Sequence, residues 1–111
     1  MKKNPEDFVL PLLRKVFLES VADFEKEVKI RTPVDTGRLR NSIHIESIKT
    51  EGDMWEGEVG TDVEYASFVE YGTSKMAARA MFRQGKLIVA SRMRARVKRA
   101  LKKGIQEYLK R

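Results

Sequence analysis

Apolar residues recur at three- and four-residue steps through the first third of the chain: Phe8 or Val9, Leu12 and Leu13, Val16 and Phe17, Val21, Phe24 and Val28. One stripe at that spacing predicts an amphipathic helix over residues 5–31. Asn4 is placed to cap it, Pro5 suits its first turn, and Glu6 and Asp7 sit at the positive end of the helix dipole. Pro11 has no N–H to donate, so the regular helix is expected to begin there, with Leu10 outside it. Pro33 closes the segment, because a residue before proline avoids helical geometry. The same period returns over 81–110. There Met93, Val97, Ala100 or Leu101, Ile105, and Tyr108 or Leu109 form a stripe, preceded by Phe82 and Ile88 or Val89. Gly85 and Gly104 lower the propensity of this second helix by up to about 1 kcal/mol each against alanine.

Between the helices the period shortens. Asp35 or Thr36 can cap a short helix that places Leu39 and Ile43 on one face, four residues apart. Residues 43–50 alternate imperfectly as a strand, Glu51-Gly52-Asp53 turns, and residues 54–61 return as the second strand of a hairpin. Trp55, Gly57 and Val59 then share one face, with Glu56 and Glu58 on the other. Tyr65 to Tyr71 reads as a short third strand, or as a helical turn followed by a strand. The expected fold is α+β: two long helices packed on a small antiparallel β-sheet made of the hairpin plus a further strand. The chain is expected to form one domain over 1–111, with a loop at 72–80 and a basic helix at 81–110. No internal repeat or low-complexity tract interrupts it.

Charge changes the picture. The net charge is +7, but residues 83–111 hold eleven basic residues against Glu107 alone, a balance of +10. Residues 1–82 carry twelve basic and fifteen acidic residues, a balance of −3. Arg92, Arg96, Arg99 and Lys103 recur at three- and four-residue steps. They are expected to form a positive strip on the face turned from the core, able to meet DNA or an acidic partner. With no cysteine there is no disulfide and no thiolate metal site, which suits a reducing cytoplasm. The longest apolar runs are too short to cross a membrane, and the acidic residues and Pro11 near the start do not read as a secretory signal.

Catalytic chemistry is hard to assemble from these residues. Ser, Thr and Asp cluster around Thr32–Ser42, but His44 is the single histidine and nothing there activates a nucleophile, so capping explains them better. Gly72-Thr-Ser-Lys75 has phosphate-loop residue types in the wrong order. No His/Asp/Glu cluster has metal-ligand spacing, and no cofactor is called for. Trp55 is expected in the core and His44 at a surface or strand edge. The exposed segment Thr73, Ser74, Lys75, Met76 to Arg79 is small, polar and basic, and suits a subunit-contact loop between two ordered parts.

Two stretches are more specific. Arg31-Thr-Pro-Val-Asp-Thr-Gly-Arg-Leu-Arg-Asn-Ser-Ile43, followed by Val59-Gly-Thr61, Tyr65-Ala66 and Val69-Glu-Tyr-Gly-Thr-Ser-Lys-Met76, resembles the head–tail joining, or tail-completion, family of long-tailed (siphovirus-type) bacteriophages and prophages. The order of helix, Pro-Val-Asp-Thr-Gly segment, hairpin, Glu-Tyr-Gly-Thr and closing helix extends the resemblance over nearly the whole chain. The resemblance implies a structural virion protein at the head–tail junction. It also implies no enzymatic activity and self-association into a ring, hexameric in the expected case. The partners would be connector and tail proteins, with assembly in the host cytoplasm. DNA passes through such a neck, so the basic helix would face either DNA, without sequence preference, or an acidic neighbour, which is favoured. The alternative class is a small nucleic-acid-binding protein using the C-terminal helix. In one respect the chain departs from its relatives. Where many have a Pro-Ala-Arg-Pro-Phe pattern, this chain has Ala77-Ala-Arg-Ala-Met-Phe82. Alanines favour helix, so the segment is expected to extend the C-terminal helix or to be mobile rather than to hold a fixed arm.

Overall fold

The structure is a computed structural model that describes residues 4–33 and 37–110. Along the chain come α1 (Pro5–Arg31), α2 (Gly37–Ser42), β1 (His44–Lys49), β2 (Glu56–Gly60), α3 (Ala66–Tyr71) and α4 (Met81–Lys110). The α+β class and the two long helices are as the periodicity predicts. The proposed caps at Asp35 and Thr36 fall outside the described residues.

At the start of α1, Asp7 accepts the Asn4 N–H at 3.0 Å, satisfying a backbone donor at the helix entrance. Contrary to the expectation at Pro11, α1 runs through that residue. Pro11 is exposed, so water can take the place of the bond it cannot make. α1 and α4 lie against each other along most of their length, giving an elongated molecule of 61 × 22 × 20 Å.

The seam between the two helices depends on small residues. Ala100 is buried there, whereas Leu101, Ile105 and Leu109, expected on the same stripe, are exposed. A Cβ on Gly104 would come within 2.7 Å of Val9 Cγ2 and 3.1 Å of Val9 Cα, and one on Gly85 within 3.3 Å of Val28 Cγ2. The glycines that weaken α4 by propensity therefore let α1 approach it closely. Leu101, Ile105 and Leu109 are turned outward.

The main core sits at one end of this helix pair, where Val28, Leu39, Ile43, Val63, Val69 and Met81 are buried together. Leu39 of α2 and Ile43, the residue after it, are both buried in this core, as their spacing predicts. The strands pair antiparallel with Ile45 opposite Val59 and Ile48 opposite Gly57, and the register slips between Ile45 and Ser47. Gly57 faces Val21, whose Cγ2 lies 2.5 Å from where a Cβ would stand, so the ribbon lies close on α1. Trp55 packs edge-on against Phe17 with ring centroids 5.8 Å apart.

The third strand expected between Tyr65 and Tyr71 is instead the helix α3, and the sheet has two strands among the described residues. The reason is local hydrogen bonding and burial. Val69 N–H bonds to Tyr65 O at 3.3 Å, and helical spacing brings Val69 and Glu70 inward while Phe68 and Tyr71 stay exposed.

Candidate functional site

The two motif stretches meet in space. Ser42 and Thr61 hydroxyls hydrogen-bond to each other, and Thr61 Oγ1 also accepts the Val63 N–H at 3.1 Å. Arg38 reaches Glu64 at 3.4 Å and lies 5.7 Å from the Tyr65 ring centroid. The Glu64 carboxyl is held below its ordinary pKa, first by its own backbone N–H and then by Arg38. These contacts join α2 to the segment entering α3. His44 is exposed, its Nδ1–H donating to Ser42 O at 2.7 Å. Among the described residues no group of three or more His, Asp or Glu side chains could hold a metal ion.

Glu70, an acid within an apolar run, is buried to 5% exposure. Its carboxylate accepts Phe82 N–H at 2.8 Å, Arg83 N–H at 3.2 Å and Arg83 Nε–H at 2.8 Å. It therefore caps the N-terminus of α4 from another helix, where free N–H groups and the helix dipole favour an anion. The Arg83 guanidinium also donates to Glu70 O at 2.7 Å and lies 4.7 Å from the Tyr71 ring centroid. An acid inside the apolar run Phe68-Val-Glu-Tyr71 was the available signal.

The loop after α3 is built as a short finger. Gly72 turns the chain at φ +79, and a Cβ there would stand 2.7 Å from Ala78 N and 2.8 Å from Met76 O. Thr73 and Met76 exchange backbone hydrogen bonds of 2.8 and 3.3 Å, and Thr73 Oγ1 accepts the Lys75 N–H at 3.1 Å. At the base, Arg79 N–H bonds to Val69 O at 2.8 Å and Ala80 N–H to Glu70 O at 3.0 Å. The alanines thus do not extend α4, correcting that expectation, because Ala80 takes φ +48 immediately before the helix starts. Neither that φ nor the Ala80 hydrogen bond is open to proline, so the missing proline at 80 is matched by the geometry. Thr73, Ser74, Lys75, Met76 and Arg79 are all exposed on this finger. Beside it Phe68 is 56% exposed and Tyr71 67%.

The basic strip is placed differently from its expectation. Arg92, Arg96, Arg99 and Lys103 do share one side of α4, but that side borders α1 instead of turning from the core. Arg92 donates to Asp23 at 3.0 Å and to Glu27, and Arg96 to Asp23 at 3.1 Å. Arg99 and Lys103 continue the line beside Lys15 and Glu19 of α1. Glu27 is buried and held below its ordinary pKa by hydrogen bonds from Arg31 and Arg92, and Arg92 is raised by Glu27 and then Asp23. Part of the charge asymmetry of the sequence is therefore closed within the molecule. In the described residues no helix is long and apolar enough to cross a membrane.

Residues 12–72 match the HK97-gp10-like family, bacteriophage tail components. The match covers α1 from Leu12 through α3 and ends at Gly72, short of the finger and α4, so it is less extensive than the resemblance read from the motifs. No curated protein and no solved structure matches the chain.

Proposed function

The chain belongs to the HK97-gp10-like family of phage tail components, and from that premise we propose that it completes the head–tail junction as one subunit of a ring, without catalysis. Membership gives a structural protein of the virion. The observation that carries the finer reading is the α3–finger unit. Phe68, Tyr71 and Met76 are exposed on a rigidly based projection whose Gly72 turn and hydrogen bonds are fixed in advance. Exposed aromatics beside an ordered loop suit a contact surface that loses little entropy on binding.

The nucleic-acid alternative draws on the basic helix, but Arg92 and Arg96 already bind Asp23 and Glu27. Arg99 and Lys103 are what remains of the four-residue strip for an outside anion. An acidic protein neighbour is the better-supported partner for them.

The test is complementation. Particles assembled without this chain should accumulate as separate heads and tails in negative-stain micrographs, and the purified protein should join them. Removing Ser74 to Ala78 should leave folding intact, since the finger's base is held outside the deleted residues by Arg79 N–H to Val69 O and Ala80 N–H to Glu70 O, but should abolish joining. Particles that join without the chain, or that join equally well with the shortened finger, would overturn the proposal.

A further inference from the structure

The ribbon β1–β2 packs on α1, and α4 runs past it without closing the gap. What remains is a groove of about 560 Å³ whose apolar lining includes Phe24 and Val21 from α1, Val59 from β2, and Val89, Ala90 and Met93 from α4. Glu46 and Glu58 stand on its strand side and Lys86 on its helix side. β2 is also an edge strand, paired on one side only among the described residues. An open apolar trough on the ribbon's face is a place where another chain can seat a side chain.

We propose that this groove receives the Thr73–Met76 finger of a second copy of the chain, an inference that rests on the ring reading above. Three observations choose the occupant. From Gly72 to Ala80 the finger has Lys75 and Arg79 and no acid, while the groove's strand side presents Glu46 and Glu58, with exposed Glu56 next along β2. Met76 is the finger's single large apolar residue and is 42% exposed, a flexible side chain suited to an irregular apolar trough. The finger is held by the Thr73–Met76 hydrogen bonds and anchored to α3 through Val69 and Glu70, so little ordering is left to be supplied on binding.

A chain cannot fill its own groove in this way. No residue of 72–80 lines it, and the finger's base is tied to α3. Finger and groove are therefore different patches on one surface. A contact between different patches runs head to tail, and repetition of it closes into a ring when the rotation allows.

The absence of cysteine permits a clean test. Met76→Cys and Ala90→Cys are prepared as separate single variants, with melting curves matched to the parent protein, and mixed under mild oxidation. The expected product is a disulfide-linked dimer of one variant with the other, exceeding either self-pair by on the order of tenfold; the double variant should give a ladder of linked chains. Charge reversal gives a second reading. Lys75→Glu with Arg79→Glu should weaken self-association by on the order of tenfold, and Glu46→Lys with Glu58→Lys should restore it when combined in the same chain. Self-association that persists while Met76→Cys and Ala90→Cys fail to link, or a link that forms within one chain, overturns the groove contact and leaves the ring reading standing. A chain that neither self-associates nor enters junctions overturns both. Linking of Ala90→Cys to a different virion protein also rejects the second copy as occupant.

Discussion

Replacing Glu70 by alanine removes the cap of α4 and offers a quantitative test of how the family-matched part holds the C-terminal helix. The carboxylate serves two backbone donors, Phe82 N–H and Arg83 N–H, and the Arg83 side chain, while being only 5% exposed. Losing a capping side chain costs about 1–2 kcal/mol. The anion at a partly buried helix N-terminus adds up to about 2 kcal/mol. The Arg83 ion pair adds little of its own, because that side chain is 51% exposed and water can solvate it once freed. Glu70→Ala is therefore expected to cost about 3 kcal/mol. Glu70→Gln keeps one carbonyl oxygen for Phe82 N–H but loses the charge, and should cost about half as much. Arg83→Ala should cost under about 1 kcal/mol. For a chain near this length each kcal/mol lowers Tm by about 4–8 °C, so Glu70→Ala should melt roughly 12–24 °C below the parent protein. Circular dichroism during thermal and urea unfolding measures the series. Equal losses for Glu70→Ala and Arg83→Ala would refute the cap, since the carboxylate would then be acting through the ion pair alone.

Other expectations follow from the same geometry. Gly72→Ala places a Cβ against the backbone of Met76 and Ala78 at positive φ, and should destabilise by about 3 kcal/mol in urea titration, well beyond a surface change. Gly104→Ala gains helix propensity worth about 1 kcal/mol but collides with Val9, so the net result should be a loss of about 1 kcal/mol, seen as a lower urea midpoint. The folded-state pKa of Glu27 is depressed below the ordinary 4.5, so its contribution is fully present above that value and is lost as pH falls through the depressed one. Glu27→Gln should accordingly lower stability at neutral pH and flatten its decline in acid, as measured by urea unfolding across that range.

Much of this architecture was legible in the sequence because it is written in local periods. Steps of three and four marked α1 and α4, alternation marked the ribbon, and the spacing of Leu39 and Ile43 announced the side of α2 and its exit that is buried. The small polar residues after Gly72 read as a loop, but nothing local announced its hydrogen-bonded form or the positive φ of Ala80. What the chain alone left open were rotational phase and long-range pairing. A helical stripe cannot tell whether Ala100 or Leu101 faces inward; the close approach of α1 at Gly104 and Gly85 decides it, and leaves Ile105 and Leu109 outside. Arg92 looked free in sequence because its partner Asp23 is 69 residues away, and only the α1–α4 seam brings them together. The apolar run from Tyr65 to Tyr71 suits strand or helix. Its helical form follows from the burial of Val69 in the core and the engagement of Glu70 with the start of α4. The groove between β2 and α4 has no local signature at all, because it is the space left where a ribbon packs on one helix and misses the other.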